Sequence, residues 1–391
     1  MQHYQAIWKA IIRPPRDQYN DRDLGPDEFI IGKRKIVRTD LELLNHRNQR
    51  LKCSHFQPPN EHRVAVKLPC VIYLHGNSSS RLEALSCLPL LLKYNITLFA
   101  FDMSGSGQSD GEYVSLGYYE RDDLAVVIDH LRQSGSVGCI GLWGRSMGAA
   151  TILMHGDRDP SLAGIVMDSP FTSLRDLAEE LVDVFIGFKP PKWILGMALS
   201  MIRSTIRNKA RFDINDITPI SHVDKTYIPA LFVAAKADTF IHPGHARKLY
   251  ESYAGDKNLV LVDGDHNSAR PRFFLDSVAI FFYNTLQCAS LPKQADIISE
   301  VQSFFPTADV DATEKLNPSR TQDQLADESN SPRAGLRMRA PDRSAAMWDE
   351  FTSEEVLIQR AIEESLKHVS SEETPAELIE RGKSNSNLDF I

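Results

Sequence analysis

Residues 137–150 read VGCIGLWGRSMGAA and join a short apolar run to small residues that favour a helix. The first part, VGCIGLW, is typical of a strand that is buried on both faces of a sheet. The pentapeptide GRSMG (residues 144–148) follows at once. A serine on a sharp strand-to-helix turn projects its hydroxyl above the sheet, and flanking glycines avoid clashes on that tight path. The pattern therefore predicts that Ser146 is a nucleophile.

Similar apolar runs occur along the rest of the chain and are separated by segments of helical length. They are CVIYL (residues 70–74), ITLFAF (96–101), LAGIVM (162–167), ALFVA (230–234) and NLVLV (258–262). Two β-rich stretches, Phe29–Val37 and Leu41–Phe56, precede them. Alternation of strands and helices over residues 29–286 predicts an α/β fold with a mostly parallel, doubly wound sheet.

A serine nucleophile needs a general base and an acid that orients it, and in such folds they follow in the order serine, acid, histidine. Asp238 ends the predicted strand PALFVAAKAD, and His266 lies in the loop after NLVLV. We expect these two residues to complete a catalytic triad with Ser146. Asp263 and Asp265 are alternative acids, although both lie on the same loop as the histidine.

Two other histidines, His242 and His245, follow the strand that bears the acid. Both lie in HPGHARKLY, which has the pattern of a helix start, so we expect them to be solvent-exposed or capping residues. His75 lies in the loop after CVIYL, and we expect it to support this loop rather than to react.

Acyl transfer also requires N–H donors for the oxyanion of the tetrahedral intermediate. One candidate is the N–H of Met147, directly after the nucleophile, and the second is that of Asn77, in the loop after CVIYL. The segment DMSGSGQS (residues 102–109) follows the next strand and lacks the lysine of a phosphate-binding loop. We expect it to form a tight loop beside the active site.

The composition excludes several classes of protein. The chain of 391 residues has a formal net charge of −8, which argues against a nucleic-acid binder. Its five cysteines include no CxxC pair, and no His/Asp cluster has metal-ligand spacing, so we expect no metal and no organic cofactor. We see neither a secretory signal nor an apolar run long enough to span a membrane, and we expect a cytoplasmic protein. Peripheral membrane attachment stays open.

Two predicted apolar helices are the reason to consider peripheral membrane attachment. The N-terminal residues Tyr4, Ile7, Trp8, Ile11 and Ile12 are spaced for one helical face, which rests either on a membrane or, as we favour, on the domain itself. Lys192–Arg211 lies in a long insertion (residues 172–211) that we interpret as a cap. Three interpretations of this segment are open: a lid helix over the active site, a basic amphipathic helix that contacts anionic lipid, or a helix packed on its own domain. We favour the last.

The last hundred residues differ in composition from the rest. Residues 289–391 carry 20 Asp and Glu against 11 Lys and Arg, so they hold the chain's excess of acid. We therefore divide the chain into an N-terminal helix and linker (1–28), a catalytic domain (29–288), a disordered acidic linker (289–352), an amphipathic helix (353–368) and a disordered tail (369–391).

The motifs taken together resemble the α/β-hydrolase superfamily, and within it the eukaryotic serine hydrolases of the serine aminopeptidase S33-like and depalmitoylating, Bem46-like branches. The stretches that carry the resemblance are IIRPPRDQY, VIYLHGNSSS, FDMSGSGQSDG, GLWGRSMGAA, DSPFTSL, IPALFVAAKAD and DGDHNSARP. The resemblance implies the triad Ser146, Asp238 and His266, with Asn77 and Met147 as oxyanion donors. The N-terminal cysteine cluster of the depalmitoylases is missing here, because the first cysteine is Cys53.

The helix at 353–368 resembles a ubiquitin-interacting motif. Acidic residues precede Ile358, Ala361 and Ser365, and the small alanine would let the helix approach a shallow apolar patch. The motif usually carries an acid three residues after the serine, where this chain has His368.

These patterns predict a serine hydrolase that cleaves an ester, thioester or amide bond of a small-molecule or acylated substrate. The alternative is a ubiquitin-binding adaptor on a hydrolase-like scaffold.

Overall fold

A computed structural model describes residues 2–32, 34–186 and 192–292. The strands in this part of the chain form one sheet in the order β1-β2-β3-β5-β4-β6-β7-β8-β9. They span Glu28–Ile31 (β1), Arg34–Leu44 (β2), Arg50–Gln57 (β3), Leu68–Leu74 (β4), Thr97–Phe101 (β5), Val137–Arg145 (β6), Gly164–Asp168 (β7), Ala230–Ala235 (β8) and Lys257–Val262 (β9).

The sheet is antiparallel at one end and parallel at the other. Strands β1, β2, β3 and β5 pair antiparallel in that order, whereas β5, β4, β6, β7, β8 and β9 pair parallel. The predicted mostly parallel sheet is confirmed. The predicted β-rich stretch Phe29–Val37 contains parts of β1 and β2, and Leu41–Phe56 contains parts of β2 and β3. The chain reverses from β1 to β2 at Gly32, whose φ of 59° a glycine adopts without strain.

Helices cover both faces of the sheet. They span Gln2–Ile12 (α1), Leu88–Leu92 (α2), Glu120–Gln133 (α3), Met147–Gly156 (α4), Leu174–Ile186 (α5), Lys192–Ala210 (α6), Pro243–Ser252 (α7) and Arg272–Thr285 (α8). Successive strand residues point to opposite faces. Thus Ile72 joins a core with α1 and α3–α7, while Val71 joins a second core with α2 and α8. Burial on both faces explains why the central strands are apolar throughout.

The N-terminal helix rests on the domain, as favoured from the sequence. Trp8 and Ile12 are buried in the same core as Ile202 and Ile206 of α6, and the Lys209 ammonium lies 4.8 Å from the centre of the Trp8 ring. The interpretation of 192–211 as a helix packed on its own domain is supported by the same contacts. Among the described residues, no helix is both long enough and apolar enough to cross a membrane.

Candidate active site

Ser146 occupies the turn between β6 and α4. Its backbone has φ 51° and ψ −113°, a conformation that is strained for a residue with a side chain. Its N–H donates to the carbonyl oxygen of Asp168 at the end of β7, at 2.8 Å. The turn is therefore held from the neighbouring strand, as a strained nucleophile turn requires.

The glycines that flank the serine are required by close packing. A Cβ atom on Gly148 would lie 2.1 Å from the carbonyl oxygen of Leu74, at the end of β4. A Cβ atom on Gly144 would lie 2.5 Å from the carbonyl carbon of Gly148. Helix α4 thus starts closer to the sheet than any other residue type would permit.

Asp238 and His266 meet at the ends of β8 and β9. Oδ2 of Asp238 lies 2.7 Å from Nδ1 of His266, and both side chains are buried. Because an ionised carboxylate only accepts, Nδ1 carries the proton and Nε2 is left to accept one. The other carboxylate oxygen accepts the N–H groups of Phe240 (3.0 Å) and Ile241 (2.7 Å), which fixes the carboxylate.

The two alternative acids take part in other contacts. Asp263 is exposed and pairs with the Lys236 ammonium at 2.8 Å. Asp265 accepts hydrogen bonds from Asn267 and Ser268, and the Ser268 hydroxyl is the main reason that the pKa of this carboxyl lies below its usual value. Both acids therefore have partners other than His266, and Asp238 is the carboxylate at the imidazole.

The candidate oxyanion donors follow neighbouring parallel strands. Leu74 at the end of β4 pairs with Gly144 of β6, so the loop with Asn77 and the helix start at Met147 lie at the same edge of the sheet. His75 is buried between loops: its Nε2 accepts the N–H of Met103 at 3.1 Å. These contacts support its role as a supporting residue.

The loop at 102–109 is joined to the N-terminal segment through Asp102. Its carboxylate accepts the hydroxyl of Tyr19 (2.6 Å) and the N–H groups of Arg81 (2.7 Å) and Gln108 (2.8 Å). Burial, and next the Asp102 charge, raise the pKa of Tyr19, so its hydroxyl remains a donor. The segment is a tight loop at the same edge of the sheet as the loop at 75–80, as expected.

Sequence reasoning missed two buried arginines beside His266. Arg145 donates from Nη1 to Oε1 of Glu83 (3.2 Å) and from Nη2 to the carbonyl oxygen of His266 (3.0 Å). Arg270 forms a two-pronged pair with Asp168, at 2.8 and 2.9 Å. Although burial opposes it, the Arg270 charge holds the pKa of the Asp168 carboxyl below its usual value. A charged residue inside an apolar run, as in LWGRSMG, is the signal that indicates such a buried pair.

The expectation for His245 was wrong. His242 caps α7, since its Nδ1 accepts the N–H of Gly244 at 3.1 Å. His245 is instead buried, with Nδ1 2.8 Å from the hydroxyl of Thr172, because the inner face of α7 packs against the loop before α5.

Several predicted sites lie outside the described residues. Ile358, Ala361 and Ser365 of the ubiquitin-interacting pattern are among them, as is the acidic tail from residue 293 onwards. Within residues 2–32, 34–186 and 192–292, no three His, Cys, Asp or Glu side chains are grouped so that they could hold a metal ion.

Known proteins are similar to this chain in sequence. The family model of serine aminopeptidase S33 matches residues 68–216, and that of the PhoPQ-activated pathogenicity-related protein matches residues 199–330. Uncharacterized protein YqkD of Bacillus subtilis is 29% identical over 201 residues, which cover 50% of this chain and 64% of that protein, a little under two thirds of its length. Human monoglyceride lipase is 29% identical over 260 residues, covering 58% of this chain and 82% of the lipase.

Solved structures show the same fold. A Pyrococcus furiosus esterase aligns with a TM-score of 0.53 at 21% identity and covers 70% of this chain and 97% of its own. An acetyl xylan esterase from Paenibacillus aligns with a TM-score of 0.52 at 16% identity, over 73% and 99% of the two chains. The sheet order and these structures show that this chain has the α/β-hydrolase fold, and the family match shows that it is similar in sequence to serine aminopeptidase S33.

Proposed function

We propose that the protein is a serine hydrolase that transfers the acyl group of an ester to water through Ser146. The observation that carries the proposal is the strained turn at Ser146, together with a buried His266–Asp238 pair. Arg145, the residue before the serine, also binds the carbonyl oxygen of His266. The residue that precedes the candidate nucleophile in the chain is therefore in direct contact with the residue that bears the candidate base.

In the proposed mechanism, Nε2 of His266 removes the proton of the Ser146 hydroxyl while its oxygen attacks the substrate carbonyl. Asp238 keeps the ring in the required tautomer and stabilises the imidazolium that forms. The N–H groups of Met147 and Asn77 stabilise the oxyanion, each contributing about 3–4 kcal/mol to the transition state. The imidazolium then protonates the leaving group, and water hydrolyses the acyl-enzyme by the reverse sequence.

The ester class is supported by the names of similar proteins, which include a monoglyceride lipase and an esterase. Acyl transfer by a catalytic triad needs no cofactor. We propose esters ahead of thioesters and amides, and the chain length of the acyl group is the variable to measure.

The test is turnover of p-nitrophenyl esters and of acyl thioesters of graded chain length, together with labelling by a fluorophosphonate probe. We expect Ser146→Ala to abolish both turnover and labelling. Ser277→Ala, on the outer part of α8, is the matched control and should behave as the wild type. Labelling of the Ser146→Ala variant at the wild-type level would overturn the proposal.

A further inference from the structure

Glu83 lies between the candidate oxyanion loop and the candidate base. It sits in a short 3₁₀ helix (Arg81–Cys87) after β4, and its side chain is buried. Its Oε2 accepts the N–H of Gly76 at 2.9 Å, the residue before Asn77. Its Oε1 accepts the hydroxyl of Tyr73 at 3.0 Å and Nη1 of Arg145 at 3.2 Å. One carboxylate thus binds the oxyanion loop and an arginine.

Arg145 extends this chain of hydrogen bonds from Glu83 to the loop of the candidate base. From the same guanidinium, Nη2 donates to the carbonyl oxygen of His266 at 3.0 Å and to Oδ1 of Asn267 at 2.8 Å. Its side chain is only 6% exposed. A guanidinium is planar and its donors are fixed relative to one another, so a shift at one end moves the other.

We propose that the buried Glu83–Arg145 pair is a positioning device that sets the oxyanion loop and the His266 loop in one fixed relation to Ser146. The proposal rests on the proposed function for its effect on catalysis. Arg145 is suited to this role because it is adjacent to Ser146 in the chain. Glu83 and Arg145 act through Gly76 and His266 and do not themselves contact the reacting atoms.

The second arginine shows what Arg145 adds. Arg270 also donates to the carbonyl oxygen of His266, at 3.4 Å, but its carboxylate partner is Asp168 of β7. Arg270 therefore ties the base loop to the sheet. Arg145 ties the base loop to the oxyanion loop, and it is this link that has to keep donor and base in register as charge develops during the reaction.

Variants of the pair can distinguish a positioning role from a merely stabilising one. Removing one partner of a buried ion pair leaves an uncompensated charge and destabilises the protein, whereas replacing both by neutral residues of similar volume is often neutral. We would compare Glu83→Gln, Arg145→Met and the double variant. The melting temperature should fall in each single variant and return towards that of the wild type in the double variant.

Activity should follow a different pattern if the pair positions the site. We expect kcat for a p-nitrophenyl ester to fall about 10- to 100-fold in all three variants, with KM changed by less than about threefold, because misplacement of reacting groups costs rate rather than binding. A double variant that regains both melting temperature and kcat would overturn the proposal, since the pair would then serve packing alone.

Hydrogen exchange followed by mass spectrometry gives a readout that does not depend on activity. Glu83→Gln should speed amide exchange in residues 263–270, reached from Glu83 through Arg145, and Arg145→Met should speed exchange in residues 76–80. Wild-type exchange in both distant loops would overturn the coupling. If Ser146 supports no turnover, the proposed function fails, and the exchange result still decides on the coupling.

Arg38 supplies the matched control. Its buried guanidinium pairs with Asp27 (2.7 Å), just before β1, and with Asp40 (3.0 Å). Arg38 and Asp40 lie on β2, which β3 and β5 separate from β4 in the sheet order. Arg38→Met should lower the melting temperature while kcat and exchange in both loops keep their wild-type values. Equal losses of kcat in Arg38→Met would assign the effect of Arg145→Met to general destabilisation and would overturn the proposal.

Discussion

Nδ1 of His266 lies 2.7 Å from Oδ2 of Asp238, and neither side chain is open to solvent. The two residues are 28 positions apart and come from loops that follow adjacent parallel strands, β8 and β9. The hydrogen bond fixes the tautomer of the imidazole and leaves Nε2 as the nitrogen that accepts the proton in the proposed mechanism.

Asp238→Asn should therefore lower kcat by about 10³- to 10⁴-fold, because an amide no longer selects the tautomer with the proton on Nδ1. The measurement is the initial rate of ester hydrolysis. Asp263→Asn is the matched control and should keep the wild-type rate, since Asp263 contacts Lys236 at the surface. If the two variants exchange these roles, the acid has been assigned to the wrong residue.

Gly148→Ala should prevent correct formation of the turn at Ser146. Its methyl group would lie 2.1 Å from the backbone oxygen of Leu74, which has little freedom to move. We expect the free energy of unfolding, measured in urea, to fall by about 3 kcal/mol or more. Gly138→Ala on the same strand β6 meets no atom closer than 3.8 Å and should cost far less. Similar losses in the two variants would contradict the close packing described here.

His155 should make the protein sensitive to acid. Burial chiefly, and then the Arg158 charge, lower the pKa of this α4 histidine from 6.5 to about 4. Between these values the unfolded chain binds the proton more readily than the folded chain, so stability is present above pH 6.5 and is lost as the pH falls towards 4. The loss amounts to about 3 kcal/mol.

His155→Phe should remove this part of the pH dependence. The measurement is the difference in the free energy of unfolding between pH 7 and pH 4, which does not depend on how well the phenyl ring packs. His55, whose pKa burial lowers to about 3, continues to destabilise the variant in acid. His46→Phe, at an exposed position, is the matched control. An unchanged difference in His155→Phe would contradict this assignment.

The pattern at 353–368 predicts ubiquitin binding that is separate from catalysis. Titration of isotope-labelled ubiquitin with the full chain should shift ubiquitin resonances. Ala361→Gly should weaken binding about fivefold, as expected for about 1 kcal/mol of lost helix stability. Ser146→Ala should bind as the wild type, and Ala361→Gly should keep its ester turnover. If the full chain shifts no ubiquitin resonance, the adaptor function is excluded.

Much of the fold follows from local patterns. Apolar runs locate the central strands within one or two residues, because burial on both faces leaves little choice of side chain. The serine turn is equally local: Gly144, Ser146 and Gly148 are needed within five residues of one another. Candidate triad residues could be named because the ends of parallel strands meet at one edge of the sheet.

The supporting contacts could not be predicted in the same way. Glu83 and Arg145 are 62 positions apart, and Tyr19 reaches Asp102 across 83 positions. No periodicity links such residues, so the sequence shows only that charged groups interrupt apolar runs and need partners somewhere. The prediction for His245 was wrong for a related reason, since its burial depends on how α7 packs against a loop 73 positions away.

Among the described strands, β9 is the last in the chain and lies at one end of the sheet, and this position has a consequence for synthesis. A nascent chain can form the serine turn once β7 is available, but it gains the imidazole only when residue 266 has left the ribosome and β9 has docked. Contacts such as that from Arg145 to His266, 121 positions apart, can form only late. If Ser146 is the nucleophile, as proposed, its covalent capture by an activity probe would therefore report that β9 has docked, and chains that end before residue 266 would escape labelling.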